Sequence, residues 1–325
     1  MMSIARRDVM VGGLSMAMLL SRSALAASAA PPAIYGATMT VEIAPVLLTV
    51  RDRYPVGTAV QLGGVASLIE PNAVADVATN AETQLLRQSV KRPDLRIIMT
   101  LVEGRYRLVA RRSAGIASLA NLKGKRVGTL RATSAEYFLA RMLDSAGLAM
   151  NDVTIVQVGP LKNLAPAIAK QEIDAVAIWE PFSEDAVRAL DDDAVTFSGE
   201  GIYRELFNLN TTAGALADRG KRRQIVSLMT AIIDTTDAMN ANPAVAAQAQ
   251  ALVARSGGYT AAQIADAWPH HGFVAAFEDD MLDVLAEEEI WLAHAGKRPP
   301  RPRAQLARLI DRSAYDEALA LSRRG

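Results

Sequence analysis

From residue 38 onward, short apolar runs and helical stripes take turns along the chain. "TMTVEI" alternates apolar and polar positions, which predicts a strand. "IAPVLLTVRDRY" then places Ile43, Val46, Leu47 and Val50 on one helical face. "TAVQL" and "VADVA" read as strands, the second leading into a helix through Leu85, Leu86 and Val90. "LRIIMTLV" and "YRLVARR" follow as strands, and "LKGKRVGTL" as a turn entering another. The helix "AEYFLARMLDSAG" closes on Gly147 as its C′ residue. "VTIVQV", the helix "LKNLAPAIAKQ" and the strands "DAVAIW", "AVTFS" and "LFNLN" complete the series. Strands alternating with helices in this way predict an α/β fold with parallel sheets of βαβ units. From Ala217 the chain reads as helical. Ile225, Leu228, Met229, Ile232 and Met239 form one stripe, Pro243 opens a helix, and Thr260 with Gln263 makes a capping box. A last amphipathic helix turns Leu282, Leu285 and Leu292 inward, and "RPPRPR" from Arg298 reads as a stiff basic surface connector.

Two tetrapeptides at strand-to-helix corners resemble each other, "TNAE" at Thr79–Glu82 and "TSAE" at Thr133–Glu136. Each fits a capping box, with Thr79 or Thr133 as the N-cap and Glu82 or Glu136 reaching back. Asn80 and Ser134 add a polar side chain one position further on. First-turn amides carry the positive end of the helix dipole, so two such corners facing each other can hold one anion. The same pattern is also met by two helix starts that hold only themselves. Arg131, just before the second corner, either pairs with a carboxylate or sulfonate or lies on the surface.

The 325 residues, 50% hydrophobic and 22% charged, suffice for two compact units. Lysine plus arginine, 35, equals aspartate plus glutamate, 35, so no basic excess steers the chain to nucleic acid. With no cysteine there are no disulfides, thiolate metal sites, thiol nucleophiles or lipid-anchor cysteine. Residues 1–26 have the layout of an export signal: Arg6 and Arg7, an apolar run, then "SRSALA". The arginine pair matches a twin-arginine signal, with a general secretory signal as the other reading. Cleavage there removes three arginines and one aspartate, leaving 35 − 3 = 32 basic and 35 − 1 = 34 acidic residues. Residues 27–36 form a small-residue linker, and the expected location is the periplasm.

Enzyme signatures are missing: no G-x-S-x-G, no H-E-x-x-H and no G-x-G-x-x-G after a strand. "GKRVG" lacks the spacing of a phosphate loop. His270 and His271 are adjacent and point to opposite faces in extended chain, and His294 sits on the late helix; none makes a metal site. The carboxylates of "AEEEIW" and of "DDD" at 191–193 read as solvated faces. No metal and no cofactor are expected, and the reading is a binder rather than an enzyme.

From "ADVATNAETQLL" on, the sequence resembles the periplasmic solute-binding proteins of the nitrate/sulfonate/taurine ABC-importer family. The pieces that carry the resemblance come in order: "IASLANLKGKRVGT", "ATSAEYFLARMLDSAGL", "IAKQEIDAVAIWEPF", "NTTAGALADR", "NANPAVAAQ" and "EEEIWLAHAG". The resemblance implies a two-lobed, type II periplasmic-binding-protein-like α/β fold with a helical C-terminal part. Lobe one would be residues 37–110 plus 206–300, lobe two 112–204, and 301–325 a tail packing on lobe one. "YRLVARR" and "LFNLN" would be the hinge segments. Ligand contacts of the family fall on positions that match Thr79, Asn80, Thr133, Ser134, Trp179, Glu180 and Thr211. Trp179 reads equally as a core residue, and Glu180 as a cap for the helix after Pro181 or as a partner for an amine. The family's glycine- and aromatic-containing turn after the first strand is replaced here by "VEIAPVLL". The implied role is capture of a small anionic organic solute by a monomer, for delivery to an ABC permease and ATPase. An extracytoplasmic enzyme or a sensor-linked binding subunit on the same fold is the alternative.

Overall fold

The computed structural model describes residues 31–70 and 73–323; the expected export signal and the first four residues of the expected linker, 27–30, lie outside the described residues. Among the described residues eleven strands build two sheets. The first holds β1 (Ile34–Gly36), β2 (Val60–Leu62), β3 (Val77–Ala81), β4 (Leu95–Gly104), β10 (Glu205–Thr212) and β11 (His271–Ala276). The second holds β5 (Arg107–Arg111), β6 (Arg126–Thr129), β7 (Thr154–Gln157), β8 (Ala175–Ile178) and β9 (Ala194–Ser198). Their orders are β11-β4-β10-β3-β1-β2 and β7-β6-β8-β5-β9.

The two orders share one plan. In the first sheet β2, β1 and β3 run parallel, and β10 lies antiparallel between β3 and β4. In the second, β7, β6 and β8 run parallel, and β5 lies antiparallel between β8 and β9. Thus β1 corresponds to β6 and β3 to β8. The interposed strand comes from the other half of the chain in each case: β5 directly follows β4, and β10 follows β9. The chain passes between sheets at Arg105–Tyr106 and again at 199–204. "YRLVARR" and "LFNLN", expected as hinge segments, form central strands that directly follow the two crossings, each completing ladders on both its sides.

Helices cover these sheets. They are α1 (Ala44–Arg53), α2 (Glu82–Ser89), α3 (Ser134–Ser145), α4 (Leu164–Ala169), α5 (Phe182–Leu190) and α6 (Ala213–Ala217). Next come α7 (Arg219–Ala241), α8 (Pro243–Gly257), α9 (Ala261–Ala267), α10 (Met281–Ala295), α11 (Arg303–Leu306) and α12 (Ser313–Ser322). Side chains of successive strand residues leave on opposite faces, so Val77 joins one core and Ala78 another. The first core packs α1, α7, α8 and α12 on the six-stranded sheet, and the second packs α2 and α10 on its other face. The five-stranded sheet has its own core, with Phe138, Leu139 and Met142 of α3 fully buried. Among the described residues no helix is long and apolar enough to cross a membrane.

Several local expectations meet the structure directly. All five stripe residues of α7 are buried. Thr260 and Gln263 exchange both capping-box hydrogen bonds, at 3.2 and 2.9 Å. Others are corrected. "TMTVEI" is not a strand: a 3-10 turn, Val41–Ile43, runs into α1 with Pro45 in its first turn, and the first strand is Ile34–Gly36. The C-terminal third is not wholly helical, since β11 closes the edge of the six-stranded sheet. "AEEEIW" is not a solvated face, for Glu288 and Glu289 are fully buried. Arg298 and Arg301 of the proline-rich segment both ion-pair with Glu289, so that segment is a latch rather than a free connector.

Candidate functional site

The corners at the carboxyl ends of the strands meet around a cavity of about 60 Å³ between the two sheets. From the six-stranded side it is lined by Ala37, Thr38 and Glu42 after β1 and by Asn80, Ala81 and Gln84 around the end of β3. From the other side come Thr133 and Ser134 after β6 and Trp179 after β8. Glu205 and Phe207 of β10 complete it. Since β1 corresponds to β6 and β3 to β8, the cavity gathers both equivalent pairs of corners.

The two echoing tetrapeptides therefore occupy non-equivalent corners, and they cap differently. Thr133 is the N-cap of α3 and accepts from Ala135 N at 3.2 Å. Glu136 accepts from Ala132 N rather than from the N-cap amide, at 2.6 Å. At the first corner β3 runs on to Ala81, pinned by Asn80 opposite Asn208 and Thr79 opposite Leu209 of β10. Thr79 is thus a strand residue, fully buried, and its hydroxyl accepts from Ala37 N at 3.3 Å. It supports the β1 corner from beneath instead of capping α2. Glu82 turns inward and accepts from Tyr203 Oη at 2.7 Å and Leu206 N at 2.9 Å.

Of the residues singled out from sequence, Asn80, Thr133, Ser134 and Trp179 come together on the cavity. Trp179 serves both of its readings, packing in the five-stranded core while lining the cavity, and its Nε1 has no hydrogen-bond partner among the described residues. Asn80 Oδ1 accepts from Val65 N at 2.7 Å, which orients its amide. Ser134 Oγ stands 2.9 Å from Tyr106 Oη. That phenol donates to Glu205 Oε1 at 2.7 Å, so the serine hydroxyl must be the donor to it.

Thr79, Arg131, Glu180 and Thr211 do not line the cavity. Arg131 extends to the surface and pairs with Glu136 at 3.4 Å. Glu180 caps α5, accepting from Glu184 N at 3.0 Å, while its other oxygen takes the Arg107 guanidinium, Nε at 2.8 Å. Thr211 donates to Asp76 O at 2.7 Å within the sheet layer. For the last two, local bonding satisfies the side chain before it can reach the cavity.

Sequence reasoning missed Glu42 and Glu205. Glu42 is 2% exposed and Glu205 3%, and Oε2 of each has no hydrogen-bond partner among the described residues. The remaining Glu42 oxygen faces His271 Nε2 at 3.6 Å. His271 Nδ1 lies 3.0 Å from Ala267 O and must donate to it, so Nε2 carries a proton only on the doubly protonated ring. Burial pushes the Glu205 carboxyl well above its ordinary range, helped by the nearby Glu42 and Glu82. Glu82 is raised to about 7, chiefly by burial, against the Tyr203 hydrogen bond that lowers it. The sequence signal was a lone carboxylate within the apolar run "TVEIAP" and another at the start of "ELFNL".

Contacts between the two halves close over this site. Gln84 Nε2 donates to Ala132 O at 2.9 Å, and Arg87 reaches the same carbonyl. On another edge Gln263 Nε2 donates to both Asp185 oxygens at 2.9 and 3.0 Å, and Arg188 pairs with Asp266.

An α/β chain of two sheets on one plan, with a cavity between their corners, defines the two-lobed type II periplasmic-binding-protein fold. The chain belongs to the NMT1/THI5-like family, whose model matches residues 65–263, more than half of the sequence. Its structure is similar to that of the alkanesulfonate-binding protein SsuA from Xanthomonas axonopodis pv. citri, bound to MOPS, with TM-score 0.65 and 22% identity over 88% of this chain and 100% of that one. It is similar to the periplasmic nitrate-binding protein NrtA from Synechocystis PCC 6803, with TM-score 0.69 and 11% identity over 90% of this chain and 89% of that one. The desulfurization enzyme DszB shares the fold at TM-score 0.57 and 15% identity, over 90% of this chain and 99% of that one. At these identities the likeness speaks for the fold. A stretch of 67 residues is 37% identical to a binding protein of Brucella abortus strain 2308; the match spans 21% of this chain and 21% of that relative.

Proposed function

We propose that this chain is the exported solute-binding component of an ABC importer. It takes a small organic solute into the cavity between its lobes and presents the closed form to a permease and its ATPase. The observation that carries the reading is a cavity ringed by four strand-to-helix corners and lined by Glu42, Glu205 and Trp179, each with a buried polar atom unpartnered among the described residues. Unpartnered buried polar groups cost stability, and a bound guest that pairs with them returns it. The lobes follow sheet membership, with the hinge at Arg105–Tyr106 and 199–204. Asn80, Thr133, Ser134 and Trp179 are proposed contacts, with Thr79 and Glu180 as supports behind them. Export through the twin-arginine pair, a periplasmic location and a monomeric state belong to the same reading.

Solute shifts the open–closed balance by the difference in its affinity for the two forms. Native mass spectrometry of protein purified without refolding tests the proposal: a tightly held small molecule should travel with the chain, and adding it back to stripped protein should raise Tm. Trp179 in the cavity wall gives a second readout, a fluorescence change on binding that is lost in Trp179→Phe. Bare protein that responds to no solute extract, or chemical conversion of the captured molecule, contradicts the reading.

A further inference from the structure

The sequence reading expected an anionic guest, yet the cavity lining contains no lysine, arginine or histidine among the described residues. It contains instead two carboxyl side chains, Glu42 and Glu205, that enter from different elements of the six-stranded lobe. Both are more than nine-tenths buried, and each keeps one oxygen unpartnered among the described residues. The α3 N-terminus at Thr133 supplies the opposing field, about half a positive charge, against as many as two full negative ones. An anion placed there would meet two buried carboxyl groups and no cationic side chain among the described residues.

Resting on the solute-binding reading, we infer that the captured solute is a small organic cation bearing several N–H donors, an ammonium or amidinium compound, gripped between Glu42 and Glu205. Trp179 lines the same space with its indole N–H unpartnered among the described residues, which calls for one acceptor atom on the guest. The indole and the Phe207 ring supply apolar and cation–π contact for its frame. The opposite wall is not a second charge but the neutral hydroxyls of Thr133 and Ser134, the latter already committed as a donor to Tyr106.

The site also sets how protons move on binding. Around Glu205 stand Tyr106, Ser134, Glu42 and Glu82; around Glu42 stands His271. Burial raises the Glu205 carboxyl well above its ordinary range in the empty site, and a cation beside it favours the carboxylate. Cation capture therefore expels a proton and strengthens as pH rises.

The test uses the natively purified full chain and matched probes. Ethylamine, propane-1,3-diamine and acetamidine are set against ethanesulfonate, nitrate and acetate at equal millimolar concentration, read by thermal shift and calorimetry. The cations should raise Tm and the anions should not. Glu42→Gln and Glu205→Gln should each weaken cation affinity roughly tenfold or more, the cost of removing one member of a buried charge pair. Glutamine keeps the shape and removes a buried ionisable group, so circular dichroism melts of the empty variants should match or exceed the parent. Independently of any variant, the binding enthalpy of the parent should differ between phosphate and HEPES buffers, neither of which is a primary ammonium, in the sense of proton release. A response to ethanesulfonate or nitrate without one to the cations overturns the cation class and leaves the solute-binding reading standing. A co-purified solute lacking a cationic nitrogen does the same. No response to either set, together with a bare mass in native spectra, overturns both.

Discussion

At the residue scale, two glycines hold the cavity side chains where they are. Gly64 has φ +56°, and a Cβ there would come 2.2 Å from Asn80 Oδ1. Gly64→Ala therefore meets both a left-handed backbone and a displaced Asn80, and should cost about 1–3 kcal/mol in urea unfolding while weakening solute binding. A Cβ on Gly104 would lie 2.5 Å from Glu205 Oε2. Gly104→Ala should leave Gly64-dependent stability alone and shift the Glu205 carboxyl, which calorimetry would see as lost affinity with a changed proton count. The sequence showed Asn80, Thr133, Ser134 and Trp179 because each sits where an apolar run ends, and such ends converge in an open sheet. It hid Glu42 and Glu205 because a single carboxylate in an apolar run also describes the wet edge of a strand. What stands against Glu42 is His271 of β11, a part of the chain that sequence spacing does not bring near. Arg131 and Thr211 are satisfied elsewhere first, Arg131 by Glu136 five residues on and Thr211 by the carbonyl of Asp76, which lies far from it in sequence.

At the element scale, what reads well are helices whose stripe and cap agree. α7 and α9 needed only their own residues, a buried face and a Thr–Gln box. The corner after β3 looked like the same kind of signal and was not, because pairing with β10 carries the strand past Thr79 and leaves Ala81 at the cap position. Tertiary ladders outbid a local cap there. The segment after α10 shows the same lesson with charges. Glu289 is buried on α10, and Arg298 and Arg301 fold back onto it, Arg301 reaching Ser89 Oγ and Leu86 O on α2 as well. Burial alone would raise the Glu289 carboxyl, but the two guanidiniums hold it down to about 2. Glu289→Ala strands two arginines and opens a hole in the helix layer, so it should cost about 3 kcal/mol. Glu289→Gln should recover only part of that, since the hydrogen bonds survive and the charge does not. Denaturation midpoints of the two variants check the order; equal stability of Glu289→Ala and parent would show the latch to be idle.

At the scale of the whole molecule, the alternation of strands and helices announced an α/β chain but not that each sheet borrows its antiparallel strand from the other half. β5 and β10 carry the same apolar pattern as their neighbours, and only the ladders reveal which sheet takes them. That exchange puts Glu205 at the start of β10, directly after the second crossing, and stacks it near Glu82 and Glu288. Buried acids so placed make stability depend on pH in a definite sense. Glu82 holds its proton in the native protein up to about 7, whereas the unfolded chain releases it near 4.5. Between those values the native state binds more protons than the unfolded one, so stability falls as pH rises. Two and a half units at about 1.4 kcal/mol each give roughly 3 kcal/mol lost by pH 7 and no further change from this group above it. Glu205 and Glu288, raised mainly by burial, act in the same direction. Glu289 acts in the other: its contribution is present above the ordinary carboxylate range and disappears as pH falls toward 2. Asp174, held low by Arg126 and Arg111 against the upward pull of burial, sides with Glu289. The sum is a stability maximum on the acid side of neutrality, near pH 5, with Tm several degrees lower at pH 8. Melts of the empty protein from pH 3 to 9 read this directly, and Glu82→Gln should flatten the limb between 5 and 7 while leaving the acid limb intact. A Tm that climbs from pH 5 to 8 would mean that the buried glutamates titrate like solvated ones.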